Sequence, residues 1–308
     1  MFVARGAIVC LAFFVLMYSA LSCLIASAWW IAQWRRRSQS PKSAGLLFGL
    51  RIFPFAVSAL FAIFFTFPSF WLMERRSLDE DATTFLLAGC ALLLLLAGTT
   101  RVLRAKDRTS RAVSQWLENP SFASGANFAA MSAAKGAPAL MLVGVCRPKI
   151  MVSDMATAVL SENELQVAIR HELAHKRSWD NLKKLLINAT PFPAMNSVER
   201  AWREAAELAA DDAAVANRQD ALDLASALIK ISRSAKQWVE PELASGLVCG
   251  SSAITLRVRR LLEWRAAGDR LQQSWPWLLL LTFVVSAIAS NYGAALVLTH
   301  RVTELLVP

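Results

Sequence analysis

Four long apolar runs without a formal charge constrain this chain more than any other feature: Ala7 to Trp34, Ile52 to Met73, Ala82 to Thr100 and Trp275 to Thr299. A membrane helix needs about 20 mostly apolar residues to cross some 30 Å of hydrocarbon, and each run is long enough. Trp29, Trp30, Trp34, Trp71, Trp275 and Trp277 fall near the run ends, where an interfacial aromatic belt would place them. Pro54 and Pro68 stand near the ends of the second run, where a membrane helix tolerates them. Of the 308 residues 56% are hydrophobic and 18% charged, against about 45–50% and about 25% in soluble domains. Such a chain is too apolar to be disordered and is a poor candidate for a simple soluble enzyme. Ala26-Ser27-Ala28 resembles a signal-peptide cleavage site, but the apolar core from Ala7 to Ile25 exceeds the usual 7–15 residues of a signal peptide. The first run is therefore read as a span. The five cysteines (Cys10, Cys23, Cys90, Cys146, Cys249) are odd in number and lack metal-ligand spacing, so they read as small hydrophobes in a reducing setting.

Positive residues are retained on the cytoplasmic side of short loops. The first loop carries Arg35, Arg36, Arg37, Lys42 and Arg51, whereas the second has only Arg75 and Arg76 among Glu74, Asp79, Glu80 and Asp81. Arg101, Arg104, Lys106, Arg108 and Arg111 follow the third run. The pattern places both termini outside and residues 101–274 in the cytoplasm. Arg257, Arg259, Arg260, Arg265 and Arg270 precede the last run, so both ends of that segment are basic. Together with the net charge of +10, this suits an anionic lipid leaflet. No aromatic-basic motif accompanies the charge, and a direct nucleic-acid partner is not expected.

The sequence divides into a three-span region (1–100), a cytoplasmic domain (101–274), and a fourth span with a short outer tail (275–308). Residues 101–120 read as an amphipathic helix ended by Asn119-Pro120. Ala139 to Val145 and Lys149 to Val152, punctuated by Gly144 and Arg147-Pro148, read as a β-hairpin. Ser161-Glu162-Asn163-Glu164 has the form of a capping box, and its helix is predicted to run to about Pro191. Further helices are predicted from Asn196 to about Asn217, from near Asp220, and from Ser252 to about Gly268. The fold class is mostly α: four transmembrane helices, with an α+β domain between spans three and four.

Within the capped helix stands His171-Glu172-Leu173-Ala174-His175. Residues i and i+4 project from one helix face, so two imidazoles can close on one Zn²⁺. Glu172 is then placed to act as general base toward a water. The chain has only three histidines, and the third, His300, lies beyond the fourth run on the opposite predicted side. Cys146 and Cys249 are isolated. A carboxylate is therefore the expected third ligand, and Trp202 to Asp212 offers Glu204, Glu207, Asp211 and Asp212. Glu207 and Asp211 share a helix face, with Glu204 one turn earlier. One acid of such a pair can ligate while the other accepts from a ligand imidazole. Spacing alone leaves Glu204 and Glu207 open as the ligand.

These residues resemble the BlaR/MecR-type integral-membrane zinc metallopeptidases, metallopeptidase family fifty-six. The resemblance runs through Gly144 to Ile150, Leu160 to Leu165, His171 to Leu182, and Arg257 to Leu262. It implies a gluzincin-type domain in which His171, His175 and Glu207 hold zinc, Glu172 activates water and Asp211 orients a ligand. It also implies peptide hydrolysis in a bacterial-type inner (plasma) membrane, the substrate being a cytoplasmic protein and, by analogy, a transcriptional repressor. Similar enzymes bind substrate as an added strand on a β edge, so the hairpin at 139–152 is the expected rim. The antibiotic sensors of the family carry a penicillin-binding domain after the last span. This sequence stops at Pro308, so covalent β-lactam sensing in cis is not expected. The alternative is a non-catalytic membrane signalling or scaffold protein with a structural zinc site. A transporter is poorly supported, because the runs hold few polar residues and no ionisable residue at a midplane.

Overall fold

Uninterrupted apolar sequence forms long helices here. A computed structural model describes residues 2–35, 43–73, 82–116, 130–133, 139–146, 148–234, 244–246, 251–264 and 292–306. Helix α1 spans Phe2–Arg35; α2 (Ala44–Phe61) continues through a π-helical turn, Ala62–Thr66, into α3 (Phe67–Met73); α4 spans Ala82–Trp116. Among the described residues, the three helical stretches Phe2–Trp34, Ala44–Met73 and Ala82–Ser114 are long and apolar enough to cross a membrane. Of the fourth expected span, residues 275–291 lie outside the described residues. The rest belongs to helix α11 (Tyr292–Leu306), which packs on α3 and the π turn. A π turn shifts the carbonyl pattern, and the Tyr292 hydroxyl donates to the Phe64 carbonyl at 2.7 Å. Leu24, Ile63, Leu86 and Leu93 point outward, as lipid contact requires.

The second span begins earlier than the apolar run suggested. Arg51, counted above among loop positives, lies inside α2 and is only 2% exposed. The chain tolerates it there because its guanidinium is engaged. Nη2 donates to the Thr190 carbonyl (2.6 Å) and the Ile187 carbonyl (3.4 Å), and Nη1 to the Thr190 hydroxyl (3.3 Å). The third apolar run and the amphipathic stretch that follows it form one rod, α4.

The remaining elements build a small α+β unit. Strands β1 (Ala130–Ala133), β2 (Leu140–Val143), β3 (Lys149–Ser153) and β4 (Ala244–Gly246) form one sheet in the order β1-β3-β2-β4. β2 and β3 are the expected antiparallel hairpin, with Gly144 at φ 104° in its turn. They are the two inner strands, however: β1 adds parallel to β3 and β4 antiparallel to β2. Among the described residues the backbone edges therefore belong to β1 and β4, with the hairpin inside the sheet.

Helices α5 (Asp154–Val159), α6 (Glu162–Arg177), α7 (Asp180–Ala189), α8 (Asn196–Ala214), α9 (Arg218–Ser234) and α10 (Ser251–Leu262) follow. Leu140, Leu142, Ile150 and Val152 of the sheet share a core with Val167 and Ile169 of α6 and Leu224 and Leu228 of α9. Arg170 of α6 clasps Asp220 of α9 with two bonds of 2.7 and 3.0 Å.

A second core joins this unit to the spans. Trp29 of α1 and Leu47 of α2 pack with Ile187, Met195, Val198, Trp202, Ala205 and Ala206. The carboxyl end of α7 enters the helical bundle. The Tyr18 hydroxyl donates to the Thr190 carbonyl (3.0 Å), and the Phe192 ring meets Tyr18 edge-on. At Gly98 of α4 any Cβ would overlap the Ala189 carbonyl, so only glycine allows this approach.

Candidate metal centre

The capping box at the start of α6 is complete: Ser161 Oγ accepts from the Glu164 amide (3.4 Å), and Glu164 Oε2 from the Ser161 amide (2.8 Å). Glu164 also accepts from Ser226 (2.6 Å) and Lys230 (2.8 Å) of α9, which fixes the helix axially. On the opposite end of α6, His171, Glu172 and His175 are buried to 2% exposure or less.

The helix does not continue to Pro191. It ends at Arg177, and Trp179 takes a left-handed backbone (φ 56°, ψ 35°), a costly state for a residue with a Cβ. The turn reverses the chain so that α7 begins beside the motif. Asp180 Oδ2 comes within 2.7 Å of His175 Nδ1, and Lys183 Nζ sits 3.1 Å from the other carboxylate oxygen. Asn181 donates to the Leu142 and Gly144 carbonyls at 3.1 and 2.9 Å, tying the same turn to the end of β2.

Helix α8 lies across α6 and supplies the acids. Glu207 approaches both rings, with Oε2 3.6 Å from His171 Nε2 and Oε1 3.5 Å from His175 Nε2. The two Nε2 atoms are 3.2 Å apart. Ligands around a tetrahedral zinc, each about 2.0–2.1 Å from it, stand roughly 3.3–3.4 Å from one another. The closest approaches among His171, His175 and Glu207 are near that spacing, the two to Glu207 through different oxygens, and one donor atom from each residue lies within 4.8 Å of the others. Asp211, one turn on, places Oδ1 3.0 Å from His171 Nδ1. Each ring thus has a carboxylate oxygen within 3.0 Å of its Nδ1 while Nε2 faces the shared gap, the arrangement of ligand imidazoles in metal sites. Glu204 is exposed and Cys146 is exposed; neither joins the cluster. His300 lies in α11, outside the cluster, and Cys249 lies outside the described residues.

Electrostatics favour a cation in the gap. Burial alone would lower both imidazoles, yet Asp211 and Glu207 raise His171, and Asp180 and Glu207 raise His175 to about 10. Burial would raise Glu207, but the two histidines hold its carboxyl well below the usual range. A divalent ion can replace the positive charge that the acids around these rings otherwise draw from protons.

Sequence reasoning missed two residues here. Asp180 carries a readable signal: it follows a basic helix end, His175-Lys176-Arg177, where a new helix would start. Arg257 of α10 opens a segment that carries the family resemblance, but nothing local in the sequence places it here, since 46 residues separate it from Asp211. It is 2% exposed. Its Nε and Nη2 donate to Asp211 Oδ2 (2.8 Å) and Oδ1 (2.6 Å), and Nη1 lies 2.9 Å from Glu207 Oε2.

Membrane-length helices and a His–His–Glu cluster able to hold a metal ion are what a membrane metallopeptidase requires. The sequence pattern of the BlaR1 peptidase M56 family matches residues 84–261, more than half of the chain, and the chain belongs to that family. No curated protein matches the sequence.

Proposed function

We propose that this chain is an integral-membrane zinc endopeptidase that hydrolyses peptide bonds of a cytoplasmic protein, in regulatory signalling. Zinc would be held by His171, His175 and Glu207. The observation that carries this reading is the 3.2–3.6 Å approach of their donor atoms to one another beside the buried Glu172. When bound, zinc supplies Lewis acidity that lowers the pKa of a water towards about 7 and offsets charge on the substrate carbonyl. Glu172 takes the proton from the attacking water and delivers it to the departing amine nitrogen. Asp211 and Asp180 hold the two rings in the tautomer that leaves Nε2 free.

The arginine and lysine distribution supports a cytoplasmic position for the peptidase unit in a bacterial-type plasma membrane, with the basic end of α4 against anionic lipid. A transcriptional repressor is the substrate that the family resemblance suggests. Proteomic comparison of cells expressing wild type and Glu172→Gln tests the reading. A cytoplasmic fragment should accumulate only with wild type. If purified protein binds zinc stoichiometrically and Glu172→Gln leaves every cleavage unchanged, the mechanism is wrong.

A further inference from the structure

Arginine is almost never fully buried unless paired, and Arg257 is buried against two acids of one helix. The guanidinium is planar with donors in a fixed fork. Here one edge, Nε and Nη2, donates to both oxygens of Asp211, and Nη1 lies 2.9 Å from one oxygen of Glu207, Oε2. Glu207 Oε1 lies 3.5 Å from His175 Nε2, and Oε2, the oxygen beside Arg257, lies 3.6 Å from His171 Nε2. Glu207 and Asp211 are i and i+4 on α8, so as carboxylates they repel. The guanidinium between them removes that repulsion and sets their relative orientation.

Arg260, one turn further along α10, grips the same helix from outside. Its Nη2 lies 2.7 Å from Asp212 Oδ2, and its Nη1 donates to the Leu208 carbonyl at 3.3 Å. The two arginines divide the work: Arg260 holds backbone and an exposed acid, whereas Arg257 alone touches the residues that face the rings.

We infer that Arg257 is a positioning residue of the metal centre: it orients the Glu207 carboxylate toward the two rings and, through Asp211, fixes the His171 ring. The inference rests on the zinc-peptidase reading with Glu207 as ligand. It makes metal affinity depend on the docking of α10, an element that contributes no ligand of its own.

The test uses the full-length protein in detergent micelles, with zinc affinity read by competition against a chromophoric chelator and coordination read from the absorption spectrum of the Co²⁺-substituted form. Arg257→Lys keeps the charge but reaches only one carboxylate, and Arg257→Met removes both contacts. Both are expected to weaken zinc binding, Met more than Lys, within the roughly 10–100-fold range of outer-shell losses, and to shift the Co²⁺ spectrum. Arg260→Met should leave affinity and spectrum as in wild type. Should Arg257→Met fail to fold, the charge-retaining Lys variant decides. The inference is overturned if folded Arg257 variants bind zinc as wild type does, or if Arg260→Met weakens binding equally. Wild-type protein that takes up no zinc would instead overturn the peptidase reading on which it stands.

Discussion

Asp180 Oδ2 lies 2.7 Å from His175 Nδ1, and this contact exists only because Trp179 adopts a left-handed backbone between two helices. A carboxylate in this position fixes the imidazole tautomer and raises its basicity toward a metal. Asp180→Ala is therefore expected to weaken zinc binding by about 10–100-fold, measured by chelator competition on the solubilised protein. Asp180→Asn, which can still accept from the ring, should lose less.

Glu204 and Glu207, which spacing alone did not separate, are separated by burial and reach. Glu204 is exposed, whereas Glu207 lies within 3.6 Å of both rings. Glu207→Gln should cost more zinc affinity than any outer-shell change, beyond the roughly 100-fold upper end of those losses. Glu204→Gln should bind zinc as wild type does. Metal analysis after dialysis distinguishes the two.

Arg51 and Tyr18 both donate to the Thr190 carbonyl at the end of α7, where the helix dipole favours a cation. Arg51→Met removes charge-assisted bonds and should destabilise the protein by about 1.5–3 kcal/mol. Tyr18→Phe removes one neutral bond and should cost about 0.5–1.5 kcal/mol. Denaturant unfolding in detergent measures both, and hydrogen exchange should show faster opening of α7 in the arginine variant.

Burial alone would raise the Glu164 carboxyl, but Lys230, Ser226 and the Ser161 amide bring it below its ordinary value. A depressed carboxyl contributes stability that is present above its unfolded pKa, about 4.3, and is lost as pH falls through the folded value. Glu164→Gln should be less stable than wild type at pH 7. The gap should close on acidification below about pH 4, seen as a flatter dependence of the unfolding midpoint on pH.

Elements set by local chemistry were readable from sequence. The capping box, the hairpin turn at Gly144, the start of α8 at Asn196 and three of the apolar helices all follow from residues close in the chain. His171 and His175 are one turn apart, so their convergence is a property of the helix itself. What escaped depends on tertiary contact. The reversal at Trp179 defies local preference, and the helix was expected to run on to Pro191. Arg51 looked like a loop charge because its partners, Ile187 and Thr190, are far along the chain. Strands β1 and β4 are three or four residues long and gain their identity only by pairing with β3 and β2. For that reason the hairpin expected at an edge lies inside the described sheet.

Helix α8 works on two sides. Glu207 and Asp211 face the rings, while Val198, Trp202, Ala205 and Ala206 press on Trp29 and Leu47. Severing the peptidase unit from its anchor would expose that indole and its aliphatic neighbours to water, on the reverse of the rod that bears the acids. A truncated version would aggregate through this bared surface or refold around it, and either outcome disturbs the geometry at the ion. Enzymology on this protein therefore belongs in micelles or bilayers rather than on an excised fragment.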